Sequence, residues 1–228
     1  MTEPRFTDTE AVVFDAYGTL FDFASPVSRR RDRIGPKADQ LVEVWRRKQL
    51  EYSWLRTLMG RHVDFWHVTG EALDYAMALV GLSDPALRAE LMQLYLDIDP
   101  YPDTRATVER LKAAGLRTAI LSNGSPTMLT AAVNRAELTR HLDALLSVEE
   151  RACYKPHPSV YQLAVDALGV AAPHICFVSA NGWDAAGGAA FGFQTAWINR
   201  DGLPIEQLSA LPAAILTTLG ELPPLLGR

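Results

Sequence analysis

Ala11-Val12-Val13-Phe14-Asp15-Ala16-Tyr17-Gly18-Thr19-Leu20 joins an apolar run to a carboxylate and then to a glycine turn. A short continuous apolar run of this kind predicts a buried parallel strand. Open α/β sheets collect their chemistry at the carboxyl ends of such strands, so Asp15 falls on a reactive edge. Tyr17 stands two residues on, where a second acid would be needed to hold a hard cation. Its presence argues for a nucleophile that works without metal.

Outward from this stretch the same design recurs at 118–122, 144–147 and 175–179, with a fifth apolar run at 194–198. Helical periodicity fills the intervals at 103–114, 126–135, 158–168 and 184–191, and glycines 115, 169 and 192 supply helix stops. Strand and helix therefore alternate from residue 103 onward, which predicts an α/β fold with a doubly wound, Rossmann-like parallel sheet. About 80 residues separate Leu20 from Asp103, whereas a strand-to-helix loop takes roughly 2–6. That interval is helical over 37–59, 64–80 and 85–97, broken by Gly60, Gly81 and Pro85. The expectation is a helical cap, residues 21–99, inserted into a core formed by 1–20 and 100–228. Asp97-Ile98-Asp99-Pro100-Tyr101-Pro102 marks the re-entry, since the prolines favour extended backbone. A cap inserted there hangs over the carboxyl edge and encloses Asp15.

Composition narrows the class. A chain of 228 residues, 48% hydrophobic and 21% charged, suits a globular protein with a substantial core. The formal net charge of −5 gives no support to nucleic-acid binding. The one basic run, Arg29-Arg30-Arg31-Asp32-Arg33, is short and reads as a solvated face. No apolar window reaches the roughly 18 residues of a membrane span, and Met1-Thr2-Glu3-Pro4-Arg5 does not open a signal peptide. Cys153 and Cys176 imply no disulfide framework, so a cytoplasmic location is expected. The histidines show no metal-ligand spacing.

The strand ends bring small polar groups, two acids and one base to one edge. Asp15 and Thr19 come from the first, Ser122 and Asn123 from the second, and Ser179, Asn181 and Asp184 from the fourth. Lys155 lies in Tyr154-Lys155-Pro156-His157-Pro158, after the third. A strand-end Asp or Ser is often only a turn former or helix cap, but four loops supplying them together point to a site. Asp15 is the candidate nucleophile, forming an ester that divides one hard step into two. Lys155 would keep it ionised against burial. Asp184 would take a proton from the water that opens the ester, with Ser179 and Asn181 orienting that water. Asn123-Gly124-Ser125-Pro126 starts a helix whose free N–H groups, helped by Ser122, would receive a carboxylate or a phosphate. In the cap, Arg46 shares a helix face with Leu50 and suits a leaving anion. Trp45, Trp54, Phe65, Trp66 and Trp183 read first as core.

These residues resemble the L-2-haloacid dehalogenases, type II enzymes of the haloacid dehalogenase-like superfamily. The motifs are the Asp15-to-Leu20 turn, Trp45-Arg46 through Tyr52-Ser53-Trp54-Leu55-Arg56, Ser122-Asn123-Gly124, Lys155-Pro156-His157-Pro158 through Tyr161, and Ser179-Ala180-Asn181-Gly182-Trp183-Asp184. The resemblance implies that Asp15 displaces halide from C2 with inversion and that Arg46 and Asn123 cradle the halide. It implies that Thr19, Ser122, Lys155, Tyr161, Ser179, Asn181 and Asp184 surround nucleophile, substrate carboxylate and water, and that Tyr17, Leu50, Phe65 and Trp183 form an apolar lining. It further implies no metal or other cofactor, a homodimer, and a small 2-halocarboxylate, water and halide as the only ligands. The alternatives are a magnesium-dependent phosphatase of the superfamily, disfavoured by Tyr17 because Mg²⁺ wants carboxylate oxygens, and a non-catalytic binding protein on this fold.

Overall fold

A computed structural model describes residue 6 and residues 8–228; residues 1–5, read above for a leader, and residue 7 lie outside the described residues. The chain begins with β1 (Ala11–Phe14), then β2 (Phe21–Asp22) and the short helices α1 (Ser25–Ser28) and α2 (Arg31–Ile34). Three longer helices follow, α3 (Ala38–Leu58), α4 (Phe65–Leu79) and α5 (Pro85–Leu96), before β3 (Asp99–Pro100). From there strand and helix alternate: α6 (Thr104–Ala113), β4 (Arg117–Ser122), α7 (Pro126–Arg135), β5 (Ala144–Ser147), α8 (Pro158–Leu168), β6 (Ile175–Ser179), α9 (Gly182–Phe191) and β7 (Gln194–Ile198). The chain closes with β8 (Ala214–Leu216) and α10 (Leu222–Leu225).

Among the described residues, six strands form one parallel sheet in the order β5-β4-β1-β6-β7-β8. Every residue of β1 is buried, as its unbroken apolar sequence requires of a central strand covered on both faces. Phe14 lies opposite Ile120 and Val178, and Ser122 lies opposite Ser147. β1 stops two residues short of β4 and one short of β6, and the Asp15 N–H donates to the Val178 carbonyl at 2.8 Å to continue the ladder by one residue. Gly18 then turns the chain at φ +91°, a conformation that a side chain resists.

Between β1 and β3, α4 and α5 start at side-chain caps. Asp64 accepts from the His67 N–H at the start of α4, and Asp84 accepts from Leu87 at the start of α5, where Pro85 occupies the first turn. Entry to and return from this helical stretch run antiparallel as β2 and β3, with Phe21 opposite Pro100 and Asp22 opposite Asp99. This pair was not visible in the sequence, and neither were β8, α1 and α2.

Arg31, Asp32 and Arg33 of the basic run are exposed, as a solvated face requires, while Arg29 and Arg30 are half-buried, and the run also forms ion pairs. Arg29 pairs with Asp97 at 3.0 Å and with Asp99, and Arg135 of α7 reaches the same two acids at 3.1 and 2.8 Å. Arg30 and Arg33 both meet Glu90, Arg33 also meets Asp84, and Arg31 meets Asp39. Most of the acids lie far along the chain, so local charge counting could not find them. The run ties the outgoing connection to α5, to the returning connection and, through the shared acids, to α7.

Candidate active site

Asp15 sits one residue past β1, 6% exposed, with both carboxylate oxygens engaged. Lys155 Nζ lies 3.2 Å from Oδ1, while Thr19 Oγ1 and Asn181 Nδ2 donate to Oδ2 at 3.0 and 2.8 Å. Lys155 spans to a second acid, donating to Asp184 Oδ2 at 2.9 Å. The remaining Asp184 oxygen accepts from the Tyr161 hydroxyl at 2.8 Å. One buried ammonium thus stands between two carboxylates. Burial pulls Lys155 down, but the charges of Asp15 and Asp184 and their hydrogen bonds outweigh it, and its pKa stands above the ordinary lysine value. At Asp184 burial dominates and raises the pKa, with Lys155 opposing. A raised carboxylate is a stronger base for taking a proton from water.

The other residues singled out from sequence fall into three groups. Thr19, Ser122, Ser147 and Ser179 brace the loops. The Thr19 hydroxyl also accepts from the Ala180 N–H, Ser179 Oγ accepts from the Asn181 N–H, and Ser122 Oγ accepts from the Gly124 N–H at 3.1 Å. That last bond engages one of the amides expected to receive an anion, so the receptor is narrower than the sequence suggested. Ser147, which sequence reasoning did not single out, fixes the same loop by donating to the Gly124 carbonyl at 2.7 Å. Asn123 Oδ1 accepts from the Lys155 backbone N–H at 3.0 Å, which leaves its amide nitrogen as the donor end. The second group, Tyr17 and Phe65, packs as rings with centroids 6.2 Å apart, and Tyr95 closes on Tyr17 at 5.4 Å. A methyl on Gly124 would lie 2.9 Å from the Tyr17 ring, so this glycine is needed for the close approach. The Tyr17 hydroxyl is buried without a partner among the described residues, and burial pushes its pKa well up, so it stays protonated. The third group is half-buried: Leu50 on α3, and Trp183, which meets Trp54 edge-on at 5.2 Å.

Arg46 reaches the strand edge from α3. Its Nη2 donates to the Tyr17 carbonyl and to Asn181 Oδ1, both at 3.2 Å, and its guanidinium lies 5.0 Å from the centre of the Phe23 ring. A cation among apolar rings, hydrogen-bonded only to neutral oxygens, keeps its charge for an incoming anion. Phe23 and the helical partners of Arg46 were missed in sequence. Their signal is a buried polar residue, Gln49, three places along the same helix face.

Residues 9–192 match the family model described as haloacid dehalogenase-like hydrolase. This chain belongs to that family. An (S)-2-haloacid dehalogenase of Pseudomonas sp. (strain CBS-3) is 49% identical to this hydrolase over 219 residues, 96% of each chain. A crystal structure of a dehalogenase superposes with a TM-score of 0.95 at 47% identity, covering 97% of this chain and 99% of that one. A structure of L-2-haloacid dehalogenase from Xanthobacter autotrophicus with chloropropionic acid covalently bound gives a TM-score of 0.88 at 40% identity, covering 96% and 98%. Among the described residues no helix is long and apolar enough to cross a membrane.

Proposed function

We propose that this hydrolase converts (S)-2-haloalkanoic acids to (R)-2-hydroxyalkanoic acids and halide. The carrying observation is Asp15: a buried carboxylate braced on one oxygen by Thr19 and Asn181 and on the other by Lys155, with Tyr17 rather than an acid two residues on. The covalently bound chloropropionic acid of the Xanthobacter relative supports a substrate ester as intermediate.

In this mechanism an Asp15 oxygen attacks C2 opposite the halogen, and the carbon–halogen bond breaks as the ester bond forms. The halide departs toward Arg46 and Asn123. Tyr17, Leu50, Phe65 and Trp183 keep water from competing for C2. Asp184 then takes a proton from a water that adds to the ester carbonyl carbon of Asp15. The bond from that carbon to the alkoxy oxygen breaks, the hydroxy acid leaves carrying an original Asp15 oxygen, and Asp15 retains one oxygen from water. Ser179 and Asn181 position this water, Tyr161 holds Asp184, Lys155 balances both acids, and Ser122 with Asn123 shapes the carboxylate receptor. The natural division of labour is a core of residues 1–20 and 100–228 carrying the reaction and a cap of 21–99 supplying Arg46, Leu50 and Phe65. We assign it to the cytoplasm, which suits two cysteines with no disulfide between them, and to a homodimer, as the family resemblance implies.

A single turnover in oxygen-18 water tests the reaction. The label is expected in the Asp15 carboxylate with the first product unlabelled; label entering the first product would mean direct attack by water. Halide release is expected to persist in excess chelator, whereas chelator-sensitive phosphate release from p-nitrophenyl phosphate would support the phosphatase.

A further inference from the structure

Gln49 is 1% exposed, on a helix whose only other fully buried polar side chain is Ser53. All of its hydrogen-bonding capacity is used. Oε1 accepts from Arg46 Nη1 at 2.8 Å and from the Tyr95 hydroxyl at 3.3 Å, and Nε2 donates to Thr69 Oγ1 at 2.8 Å and to the Tyr95 oxygen at 3.1 Å. The orientation of the amide follows from chemistry. Thr69 has one hydroxyl proton and gives it to the Phe65 carbonyl at 2.6 Å, so toward Gln49 it only accepts. The NH₂ end must face Thr69, and the carbonyl oxygen must face the guanidinium.

Three helices meet at this node: α3 through Gln49, α4 through Thr69, and α5 through Tyr95. Its one contact with a charge is Arg46. A neutral oxygen suits that place. It fixes the guanidinium without cancelling its charge, whereas a carboxylate of the same shape would form an ion pair and compete with any anion.

We infer that Gln49 is a positioning residue that aims the Arg46 guanidinium at the departing halide and holds it there uncancelled. This rests on the dehalogenase reading. Gln49→Glu keeps the shape but adds charge and removes the donor to Thr69. It is expected to lower kcat about tenfold or more, the size of a lost hydrogen bond to a charged group, and to move KM less than kcat. Product inhibition by sodium bromide should weaken in parallel. In an Arg46→Lys background the same change should add less than about twofold, because the geometry it supports is already gone. An equal loss of kcat in both backgrounds, or an unchanged bromide inhibition constant, would overturn the inference and leave Gln49 as a packing residue. Should Gln49→Glu not fold, Thr69→Val frees the amide to flip and is expected to change kcat and bromide inhibition in the same direction; no change in either would also overturn it. A wild-type protein that releases no halide from 2-chloro- or 2-bromopropionate would overturn the functional reading itself. Active wild type with indifferent variants would overturn only this inference.

Discussion

Two buried polar regions face each other across the carboxyl edge of the sheet, and they are built in opposite ways. On the core side, Asp15, Lys155 and Asp184 form a chain of full charges, with Lys155 3.2 Å from Asp15 and 2.9 Å from Asp184; Asp15 directly follows β1, Lys155 lies on the connection between β5 and α8, and Asp184 in the first turn of α9. On the helical side a single charge, Arg46, is held by Gln49, Thr69 and Tyr95, all neutral. Asp15 follows directly on a strand fixed by the sheet ladder, so its short side chain has little freedom to lose. An arginine on a helix has a long flexible stem and needs a second buried residue to hold it. In the proposed mechanism the core side makes and breaks the covalent bond, and the helical side receives the ion.

The contrast breaks most sharply at the nucleophile. Asp15→Asn keeps the hydrogen-bonding shape but removes the charge that attacks, and halide release is expected to fall roughly 10⁴-fold or more, with the fold intact by circular dichroism. Arg46→Ala removes the ion receptor and leaves the nucleophile, so kcat is expected to fall about 10²–10³-fold; a loss as great as that of Asp15→Asn would mean that the two regions do not divide the work.

Lys155→Met sharpens the comparison from the stability side, because it leaves two acids buried together. Breaking a buried ion pair costs about 3–5 kcal/mol, and denaturant unfolding near neutral pH should register it. The direction with pH can be worked out. The raised Lys155 pKa means that the wild-type contribution is full below the ordinary lysine value and fades as pH rises through the folded value. The difference between wild type and variant should therefore shrink at strongly alkaline pH. In the proposed mechanism Asp184 must be ionised to accept a proton, so its raised pKa is expected to place the acid limb of ester hydrolysis above the ordinary aspartate value of 3.8. Rapid-quench measurement of that step against pH is expected to show this.

The smallest effect is expected outside both regions. Arg135 shares Asp97 and Asp99 with Arg29, but its side chain is 41% exposed. Arg135→Ala should cost no more than about 1 kcal/mol and leave kcat unchanged; a large loss of activity would mean that the connection between core and helices is part of the reaction.

Much of the fold could be read from residue patterns. The apolar runs ending at Asp15, Ser122, Ser147 and Ser179 became parallel strands of one sheet, and α7 and α8 span the residues their patterns indicated. Such features are local: periodicity, a capping side chain, a glycine or a proline. The convergence of Asp15, Ser122 and Ser179 at the candidate site was legible for the same reason, since the ends of neighbouring parallel strands share an edge. The ion pairs of the arginine run could not be read from sequence, because most of its acids lie distant along the chain. Gln49 and Phe23 were missed because nothing near them shows that they touch Arg46.

The sequence by itself determined the class of fold, the strand that carries Asp15, and the chemical types gathered at the edge, because strand and helix preferences act over a few residues. Only the tertiary structure decided that Lys155 stands between two acids, that the Ser122 hydroxyl accepts the Gly124 amide, and that a neutral glutamine holds the cation. Those outcomes depend on distances of about 3 Å between groups far apart along the chain, where hydrogen-bond and Coulomb energies change steeply.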